Sequence, residues 1–559
     1  MRTNSRGSQL FSLRDFTGGL NLTTDAFKLA ENESPDVQNV DFDRRGGFQI
    51  RRGVAPFSTT SLGGVAPNAI WVYNYLGTVY TLVQIGANIY QGTGTTWTVV
   101  GSSLGSVTQA VQAVTFNNNS YWVRGDANVV RSVGLTPTEL NLAPLSPFAF
   151  NNTTTATSGN VPRAEHITVH SGYMWVANTW ESGTNYPNRI RWSWANTFDN
   201  SGENWNSNDF IDIDEGKDSD EITAIVPHGD QLIVFKRNAI YAVYGYDGDS
   251  FTVTNISNTV GAVSRAATAD TPAGLFFFDH ANGINVYDRG SIKPLFTQIE
   301  PALRDGDIPK NLLDNVQIAW VNNRLWISVP WADEPTIPRG MTFVLDPSLK
   351  SGGSYTKYSL QLDAQNAGGF GPYATGGRTE EYLAYIHGTN LVFKLDVNDQ
   401  YYDNFSGTLG IVTIDAYYRT RWVDLNEPAI KKRWRRTEVL MQVDEGYDLP
   451  VVSYSDYDPT ISIKNFVWRS SASTSTVTEG EWDNAASEWV GPLNPGTTTW
   501  AKSGVYGYVD RGSTLGIARS VSLKIGGKVL TTPNPPAVQA AVFWGVDALI
   551  FKYVPRRIR

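Results

Sequence analysis

The chain has 559 residues, a formal net charge of −9 and no cysteine. It therefore has no disulfide, no thiolate nucleophile and no cysteine-bound metal, and its acidic balance argues against tight nucleic-acid binding through phosphate neutralisation. Gly, Trp and Tyr are abundant while only 18% of residues are charged, which is typical of short strands and many turns, so we predict an all-β protein of two or three domains.

Residues 1–60 are predicted to form an extended N-terminal arm. The stretch "FTGGLNLTTDAFKLAENESPDVQNVDFDRRGGFQIRRG" is polar and shows no sustained helical or strand period. Such a segment cannot offset its ordering entropy alone, so we expect it to become ordered on a neighbouring subunit. The glycine pairs Gly18-Gly19 and Gly46-Gly47 would let it bend sharply. We find no apolar run that would serve as a signal peptide or a transmembrane helix, and so expect no membrane segment.

Residues 61–405 repeat one pattern, in which strand-like stretches are bounded by Gly, Asn and Asp. Examples are "AIWVYNYLGTVYTLVQIGANIYQG" and "ITAIVPHGDQLIVFKRNAIYAVYG". The units recur roughly every 35–50 residues, and we count about seven hairpin-rich units. Because radial closure leaves only short, protected edges, this pattern predicts a β-propeller. A pair of large β-sandwiches is the alternative.

The propeller region offers few candidates for chemistry. His166 and His170 would form a metal-binding pair only on a helix, whereas "HITVH" is β-branched and indicates a strand. The carboxylates of residues 208–221, "NDFIDIDEGKDSDE", offer oxygen ligands for calcium, but their spacing does not match an EF-hand, and a solvated strand and turn is our interpretation. No HExxH, GxSxG or phosphate-binding loop occurs, and no carboxylate pair is singled out for glycoside hydrolysis. We expect no catalytic residue, no metal and no cofactor, and predict that the chain is not an enzyme.

Residues 406–559 are predicted to form a second, β-sandwich-like domain. The region opens with the alternating stretch "GIVTIDAYYRTRWVDL" and contains the Ser/Thr-rich stretch "RSSASTSTVTEG". We interpret the region around 471–500 as a projecting hairpin or loop. Its Trp482 and Trp489 are candidates for stacking on host glycans, because sugars stack on flat aromatic faces. The alternative is that these two side chains pack the hairpin.

Three basic runs are candidate contact sites. Arginine beside aromatic residues suits nucleic acid, but the acidic total favours an interface with an acidic surface of a neighbouring protein. The residues are Arg44, Arg45, Arg51 and Arg52 in the arm, Lys431, Lys432, Arg433, Arg435 and Arg436 around Trp434, and Arg556, Arg557 and Arg559 beyond them.

The arm resembles the N-terminal signature of a family of phage tail structural proteins, the tail nozzle proteins of short-tailed phages, also called tail tubular protein B. That pattern is a Gly-Gly-Leu, a polar segment with Pro-Asp, an Asn-Val-Asp strand, then Gly and a basic pair. Two later stretches, "NRIRWSWANTFDN" and "VGAVSRAATADTPAGLFFFDHANGINVYDRG", match it more weakly. The residues that carry the signature are Gly18, Gly19, Pro35, Asp36, Asn39, Val40, Gly46, Gly47, Arg51 and Arg52.

The resemblance implies a virion structural protein: a propeller-containing subunit of a homohexameric ring at the distal end of a tail tube. Its expected partners are its own copies, a tail adaptor protein, and tail fibre or tip proteins. Double-stranded DNA would pass through the ring without specific binding, which suits a neutral or acidic wall and the charge of −9. Gly18, Gly19 and the basic runs would then make the inter-subunit or adaptor contacts. A tail-tip adhesin that binds host glycans is the alternative, and a secreted or periplasmic propeller enzyme is the third hypothesis.

Overall fold

The computed structural model describes residues 9–58, 60, 67, 69–75, 78–92, 96–102, 111–125, 127–135, 140–144, 161–195, 204–214, 220–331, 339–349, 353–360, 370–375, 379–385, 391–398, 400–405, 410–443, 448–469, 481–483, 488–490, 505–527 and 543–555. The chain divides into two compact units. The terminal unit consists of Met1–Arg52 with Thr413–Arg559, and the central unit is Gly53–Val412.

The N-terminal part of the terminal unit contributes six short strands. They are β1 (Gln9–Leu13), β2 (Gly19–Leu20), β3 (Glu33–Ser34), β4 (Val37–Gln38), β5 (Val40–Phe42) and β6 (Phe48–Ile50).

The central unit is built almost entirely from strands. Its helical segments within the described residues are α1 (Glu300–Arg304) and two 3-10 turns, Phe296–Gln298 and Lys310–Asn315. The strands are β7 (Ala55–Pro56), β8 (Ala69–Tyr75), β9 (Thr78–Ile85), β10 (Asn88–Gly92), β11 (Trp97–Gly101), β12 (Gln112–Phe116), β13 (Asn119–Arg124), β14 (Ala127–Leu135), β15 (Leu140–Pro144), β16 (Arg163–His170), β17 (Tyr173–Glu181), β18 (Thr184–Trp192), β19 (Phe210–Asp212), β20 (Ile222–His228), β21 (Gln231–Lys236), β22 (Ile240–Tyr244), β23 (Thr252–Ser257), β24 (Thr268–Thr271), β25 (Gly274–Asp279), β26 (Gly283–Asp288), β27 (Ser291–Pro294), β28 (Gln317–Val321), β29 (Arg324–Trp331), β30 (Arg339–Asp346), β31 (Ser354–Tyr358), β32 (Phe370–Thr375), β33 (Thr379–Tyr385), β34 (Val392–Lys394) and β35 (Tyr402–Phe405).

These strands form a β-propeller arrangement. In the described residues, six antiparallel sets each contain four strands that follow one another along the chain: β8 to β11, β12 to β15, β16 to β19, β20 to β23, β24 to β27 and β28 to β31. The strands β32, β33 and β34 form another four-stranded sheet with β7. The first strand of each set contacts the first strand of the next, and β32 contacts β8. The ring is therefore closed, and the predicted all-β propeller fold is confirmed.

The hairpin turns supply the backbone geometry that short antiparallel strands require. Gly86 between β9 and β10 has φ +53, Gly229 between β20 and β21 has φ +61, and Asn322 and Asn323 between β28 and β29 have φ +48 and +62. Glycine and asparagine tolerate this left-handed region better than other residues, and two-residue hairpins need it. The sequence pattern predicts Gly and Asn turns between the strand-like stretches, and the structure has them at these positions.

Apolar side chains fill the space between neighbouring sheets. Where the last sheet meets the first, Leu383 and Val392 pack with Ile70 and Val83 in one buried cluster. A fully buried aliphatic side chain contributes about 1.5–3 kcal/mol relative to an exposed one. The ring is thus sealed by side chains as well as by the pairing of β7 with β34.

The C-terminal part of the terminal unit supplies the remaining strands. They are β36 (Gly410–Thr413), which begins at the end of the central unit, β37 (Tyr417–Arg419), β38 (Lys432–Val443), β39 (Asp448–Ser455), β40 (Asp458–Arg469), β41 (Glu481–Asp483), β42 (Glu488–Val490), β43 (Val505–Ala518), β44 (Val521–Gly526) and β45 (Trp544–Pro555).

Both halves of the terminal unit contribute to its two main sheets. One sheet has the order β43-β38-β45-β6-β5, and β1 also pairs with β45. In the other, β4, β37, β44, β39 and β40 pair in that order. The N-terminal segment therefore supplies strands that pair with strands lying after residue 412.

This arrangement differs from the expectation of an extended arm over residues 1–60. The sequence shows no strand period there because its strands are only two to five residues long, too short for a periodic pattern. Residues 9–52 are ordered by strands of their own chain. The central unit begins at Gly53 rather than at residue 61 because β7 belongs to the propeller.

Candidate subunit interface

The N-terminal segment that carries the signature, residues 9–52, is anchored in the terminal unit by a cluster of aromatic rings. Phe48 on β6 stacks on Tyr418 of β37 with ring centroids 4.6 Å apart, and Phe16 meets both rings edge-on at 4.9 and 5.4 Å. Trp544 of β45 lies edge-on to Phe48. All four side chains are buried, and aromatic pairs of this kind contribute about 0.5–1.5 kcal/mol each beyond the area that they bury.

A second anchor joins two signature residues that are twelve positions apart. Arg51 is buried, and its Nε donates to Oδ1 of Asn39 over 2.9 Å. Asn39 has φ +55, which asparagine tolerates better than most residues. Its Nδ2 in turn donates to the carbonyl of Asp415 over 2.8 Å. The Asn and the first Arg of the signature therefore hold the segment to the C-terminal half of the unit.

A third anchor lies at the Pro-Asp of the signature. The Ser34 hydroxyl donates to the carbonyl of Arg419, and the Tyr417 hydroxyl donates to the Asp36 carboxylate over 3.1 Å. The backbone N–H of Arg419 donates to the carbonyl of Asp36. Burial, followed by the nearby Asp36 carboxylate, raises the pKa of the Tyr417 hydroxyl well above its usual value. The tyrosine therefore stays a hydrogen-bond donor at any physiological pH.

The two glycine pairs form close contacts within the unit. A Cβ on Gly18 would lie 2.5 Å from the carbonyl oxygen of Asn32, and one on Gly46 would lie 2.5 Å from that of Arg14. Gly46 also has φ +102, where any side chain is strained. The predicted bends are present, but the chain that approaches them belongs to the same molecule.

The predicted arm contacts therefore separate into two groups. Gly18, Gly19 and Arg51, which were predicted as contacts to a neighbouring subunit, are buried inside the terminal unit and pack against residues of their own chain. Arg44 and Arg45, in the turn between β5 and β6, are exposed, and Arg52 is half-buried.

The second basic run lies at the start of β38 and is divided by strand alternation. Lys432 is buried, and its Nζ donates to the carbonyls of Glu427, Ile430 and Arg519. Trp434 is buried as well, with Nε1 donating to the carbonyl of Ala518 over 3.1 Å. Because successive strand residues point to opposite faces, the alternate residues of this run lie on the other face. Lys432, which was predicted as an interface contact, is thus held by main-chain carbonyls of its own chain.

The alternate residues, Lys431, Arg433 and Arg435, are exposed. No carboxylate oxygen of the described residues lies within 4.0 Å of their charged nitrogens. Arg433 pairs across the sheet with Ile517 of β43, an apolar residue that is 47% exposed, and Arg519 is exposed two residues further on. We call Lys431, Arg433, Arg435, Ile517 and Arg519 the basic face.

Sequence analysis missed Ile517 and Arg519. Nothing in "GSTLGIARSVSL" marks them, because they join the basic run only through the pairing of β43 with β38. The side chain of Arg436 and residues Arg556 and Arg557 lie outside the part of the chain that is described. Trp482 and Trp489 are directly opposite each other in the pairing of β41 with β42. Their side chains are not among the parts of the chain that the structure describes.

In the central unit, two of the carboxylates that could offer oxygen ligands to calcium, Asp212 and Asp214, have protein partners. Both oxygens of Asp212 accept from Arg189 over 2.7 Å, and Oδ2 of Asp214 accepts from the Tyr241 hydroxyl over 2.8 Å. Residues 215–219 lie outside the description. Among the described residues, no group of three or more His, Asp or Glu side chains is arranged to hold a metal ion.

Two ionisable groups with strongly shifted pKa values lie where two propeller sheets meet. Asn178, with φ +54, donates Nδ2 to Glu165 over 2.8 Å and to Glu221 over 3.3 Å. Burial raises the pKa of Glu165 to about 7, and the Glu221 charge adds to this rise. Burial lowers the pKa of His166 to about 4, and its Nε2 lies 2.9 Å from the carbonyl of Ile222. His166 is therefore a buried, neutral strand residue.

Comparisons with known proteins add little to this picture. No protein-family model matches the chain, and no curated protein sequence matches it. One similar solved structure is BBS1N in complex with ARL6DN. It shares 11% identity and a TM-score of 0.38 over 63% of this chain and 97% of that one, values that carry no argument about function. No helix among the described residues is both long and apolar enough to span a membrane.

Proposed function

We propose that the chain is a structural, non-enzymatic subunit of a phage tail, which forms a ring around the DNA ejection channel in the manner of tail nozzle proteins. The observation that carries the proposal is that the signature residues serve one structural purpose. Asn39 and Asp36 bind the N-terminal segment to residues of the C-terminal half, and Gly47 lies against β45. Arg51 holds Asn39 in place, while Gly18 and Gly46 allow close packing within the segment itself. A signature of this kind specifies a folded terminal unit, as expected for a family defined by architecture rather than by catalysis.

The finer features of the fold belong to the same proposal. The sheet of β32, β33, β34 and β7 counts as a seventh propeller blade, with β7 as its closing strand. The two main sheets of the terminal unit form a β-sandwich-like domain, because their aromatic side chains meet at Phe48 and Tyr418.

The exposed basic face supports a role in assembly. Three cations stand without ion-pair partners among the described residues, while the chain as a whole carries −9. Subunits of a closed ring need a heterologous contact, in which one surface meets a different surface of the next copy. An acidic channel wall would let duplex DNA pass without retaining it. The adaptor protein, and tail fibre or tip proteins, would bind the assembled ring, with the virion tail as its location.

Native mass spectrometry and negative-stain electron microscopy of the purified full chain, alone and with its tail adaptor protein, test this proposal. The expected result is a closed ring of identical subunits, six in the nozzle-like case, with a central opening. Monomers under both conditions would overturn it.

A tail-tip adhesin is the second candidate, favoured by the direct pairing of Trp482 with Trp489 across β41 and β42. In that case Trp482→Ala with Trp489→Ala abolishes adsorption to host cells while ring assembly persists. Unchanged adsorption of particles that carry both substitutions removes this candidate.

A further inference from the structure

An exposed turn of the central unit carries the charge opposite to that of the basic face. Tyr246 lies between β22 and β23 and is 80% exposed. Asp247 and Asp249 follow it and are exposed too. Among the described residues, no charged nitrogen lies within 4.0 Å of either carboxylate. We call Tyr246, Asp247 and Asp249 the acidic turn.

The acidic turn is held in a defined shape. The Ser250 hydroxyl accepts from the backbone N–H groups of Tyr246 and Asp247, each over 3.1 Å. A Cβ on Gly248 would lie 3.2 Å from Nε1 of Trp192, so the middle of the turn rests on a buried indole. A surface that is rigid before binding loses less entropy on association than a mobile one.

Further charged and polar groups lie near this turn. Half-buried Asp209 lies close enough to Asp249 for that carboxylate to raise its pKa, in addition to the larger effect of burial, while Arg191 opposes both. Burial and the Asp247 charge likewise raise the pKa of the Tyr173 hydroxyl.

The two surfaces are complementary in composition. The basic face has one exposed aliphatic residue, Ile517, beside exposed arginines, and the acidic turn has one exposed aromatic residue, Tyr246, beside exposed aspartates. At protein interfaces, buried apolar anchors supply most of the affinity, and surrounding groups of opposite charge steer the two partners together. The basic face and the acidic turn each have one such anchor, surrounded by charges of opposite sign.

We propose that the basic face of one copy docks on the acidic turn of the next copy of this chain. The contact joins two different surfaces, so it propagates in one direction and closes into a ring when the rotation per subunit permits. This inference rests on the proposed ring-forming function and names the surfaces that make the ring.

Cysteine cross-linking tests the inference directly, because the chain has no cysteine of its own. In the variant Ile517→Cys with Tyr246→Cys, mild oxidation is expected to give a ladder of disulfide-linked multimers that ends at the ring size. A disulfide requires Cα atoms within about 7 Å, so the ladder forms only if the two surfaces meet. The matched control, Ile517→Cys with Arg289→Cys, places the second thiol on an exposed residue outside the acidic turn and should give no ladder beyond dimers.

Charge reversal supplies the second test. Arg433→Glu with Arg435→Glu is expected to weaken self-association by about tenfold or more, because aspartates then face glutamates. Adding Asp247→Lys and Asp249→Lys to the same chain should restore it. Arg289→Glu with Lys293→Glu changes the net charge equally at exposed residues elsewhere and should leave association unchanged. Thermal melting of each variant shows that it is folded.

The outcomes separate the two proposals. Rings of the unmodified protein without a ladder from the Ile517→Cys, Tyr246→Cys variant would overturn the docking inference and leave the ring-forming function standing. Unmodified protein that forms no ring, alone or with its adaptor, would overturn the proposed function and the inference with it.

Discussion

Arg51 donates from Nε to the side-chain oxygen of Asn39 over 2.9 Å, and the backbone N–H of Arg51 donates to the carbonyl of Asn39 over 3.0 Å. The two residues are thus joined by both side chain and main chain. Asn39 continues the connection to Asp415. The signature motif, which the sequence suggests is a free binding segment, therefore stabilises the terminal unit from within.

Replacing Arg51 with methionine is expected to lower the free energy of unfolding of the terminal unit by about 2–3 kcal/mol, because Asn39 Oδ1 and the Arg52 carbonyl lose a charged donor in a buried place. Urea titration followed by circular dichroism measures the change. Arg52→Met is the control, since its guanidinium is only half-buried, and it should cost less than about 1 kcal/mol. Equal effects of the two substitutions would contradict the role given to Arg51.

Deleting residues 1–52 is expected to unfold the terminal unit and leave the propeller intact. The deletion removes the buried side chains of Phe16, Val37 and Phe48 and leaves their partners in water, a loss of several kcal/mol in total. Limited proteolysis should then degrade residues after 412 while a fragment of the central unit survives. A truncated chain that keeps a protected C-terminal region would show that the segment is dispensable for folding, as expected of an arm ordered by a neighbour.

Glu165 and His166 should give the propeller opposing pH dependences. The pKa of Glu165 is raised to about 7, so the folded state keeps its proton and the free energy of unfolding decreases as pH rises from about 4.5 to about 7. The pKa of His166 is lowered to about 4, so the free energy of unfolding increases as pH rises from about 4 to about 6.5. The two slopes largely cancel between about pH 4.5 and 6.5.

Glu165→Gln is expected to remove one of these slopes. The free energy of unfolding of the variant should rise by about 1–2 kcal/mol between pH 4.5 and 6.5, a value reduced from the full pKa shift because the site is partly solvated. Denaturant titrations of the propeller at several pH values measure it, with the unmodified protein as the reference. Parallel pH profiles for the two proteins would contradict the assignment.

Gly53 is expected to tolerate no side chain. A Cβ there would lie 1.8 Å from the carbonyl oxygen of Tyr402, a backbone atom that cannot move aside without breaking the hydrogen bonds of Gly53 with Gln400 and Val397. Gly53→Ala should lower the melting temperature of the central unit, with a cost of about 3 kcal/mol or more. Gly290→Ala, where a Cβ meets open space at φ +84, should cost only about 1 kcal/mol.

The propeller was predictable because its evidence is local. Turn residues such as Gly229 and Asn322 recur at the hairpins. The alternation of apolar and polar residues that follows them predicts strands from the sequence alone. The closing strand β7 was not predictable, since two residues carry no period and their partner, β34, lies more than 300 positions away.

The candidate site was predictable only in part. The basic run around Trp434 is visible in the sequence, but the burial of Lys432 between two exposed neighbours follows from strand alternation, which needs the strand to be placed first. Ile517 joins Arg433 through sheet register alone. Arg51 is buried although arginine usually lies at the surface, and its guanidinium donates to the side chain of Asn39 and to the carbonyl of Arg52.

The terminal unit is interrupted by the whole of the central unit, and this has a consequence for biosynthesis. As the nascent chain leaves the ribosome, residues 9–52 emerge first, yet β37, β38 and β45 are translated only after residue 412. Until then Phe16 and Phe48 lack their aromatic partners Tyr418 and Trp544, whereas β7 can complete the propeller as soon as β34 has been synthesised. The N-terminal segment therefore stays unpaired with its C-terminal partner strands while the whole central unit is synthesised. During this interval its apolar side chains are exposed, which is the condition in which a folding chain depends on chaperones.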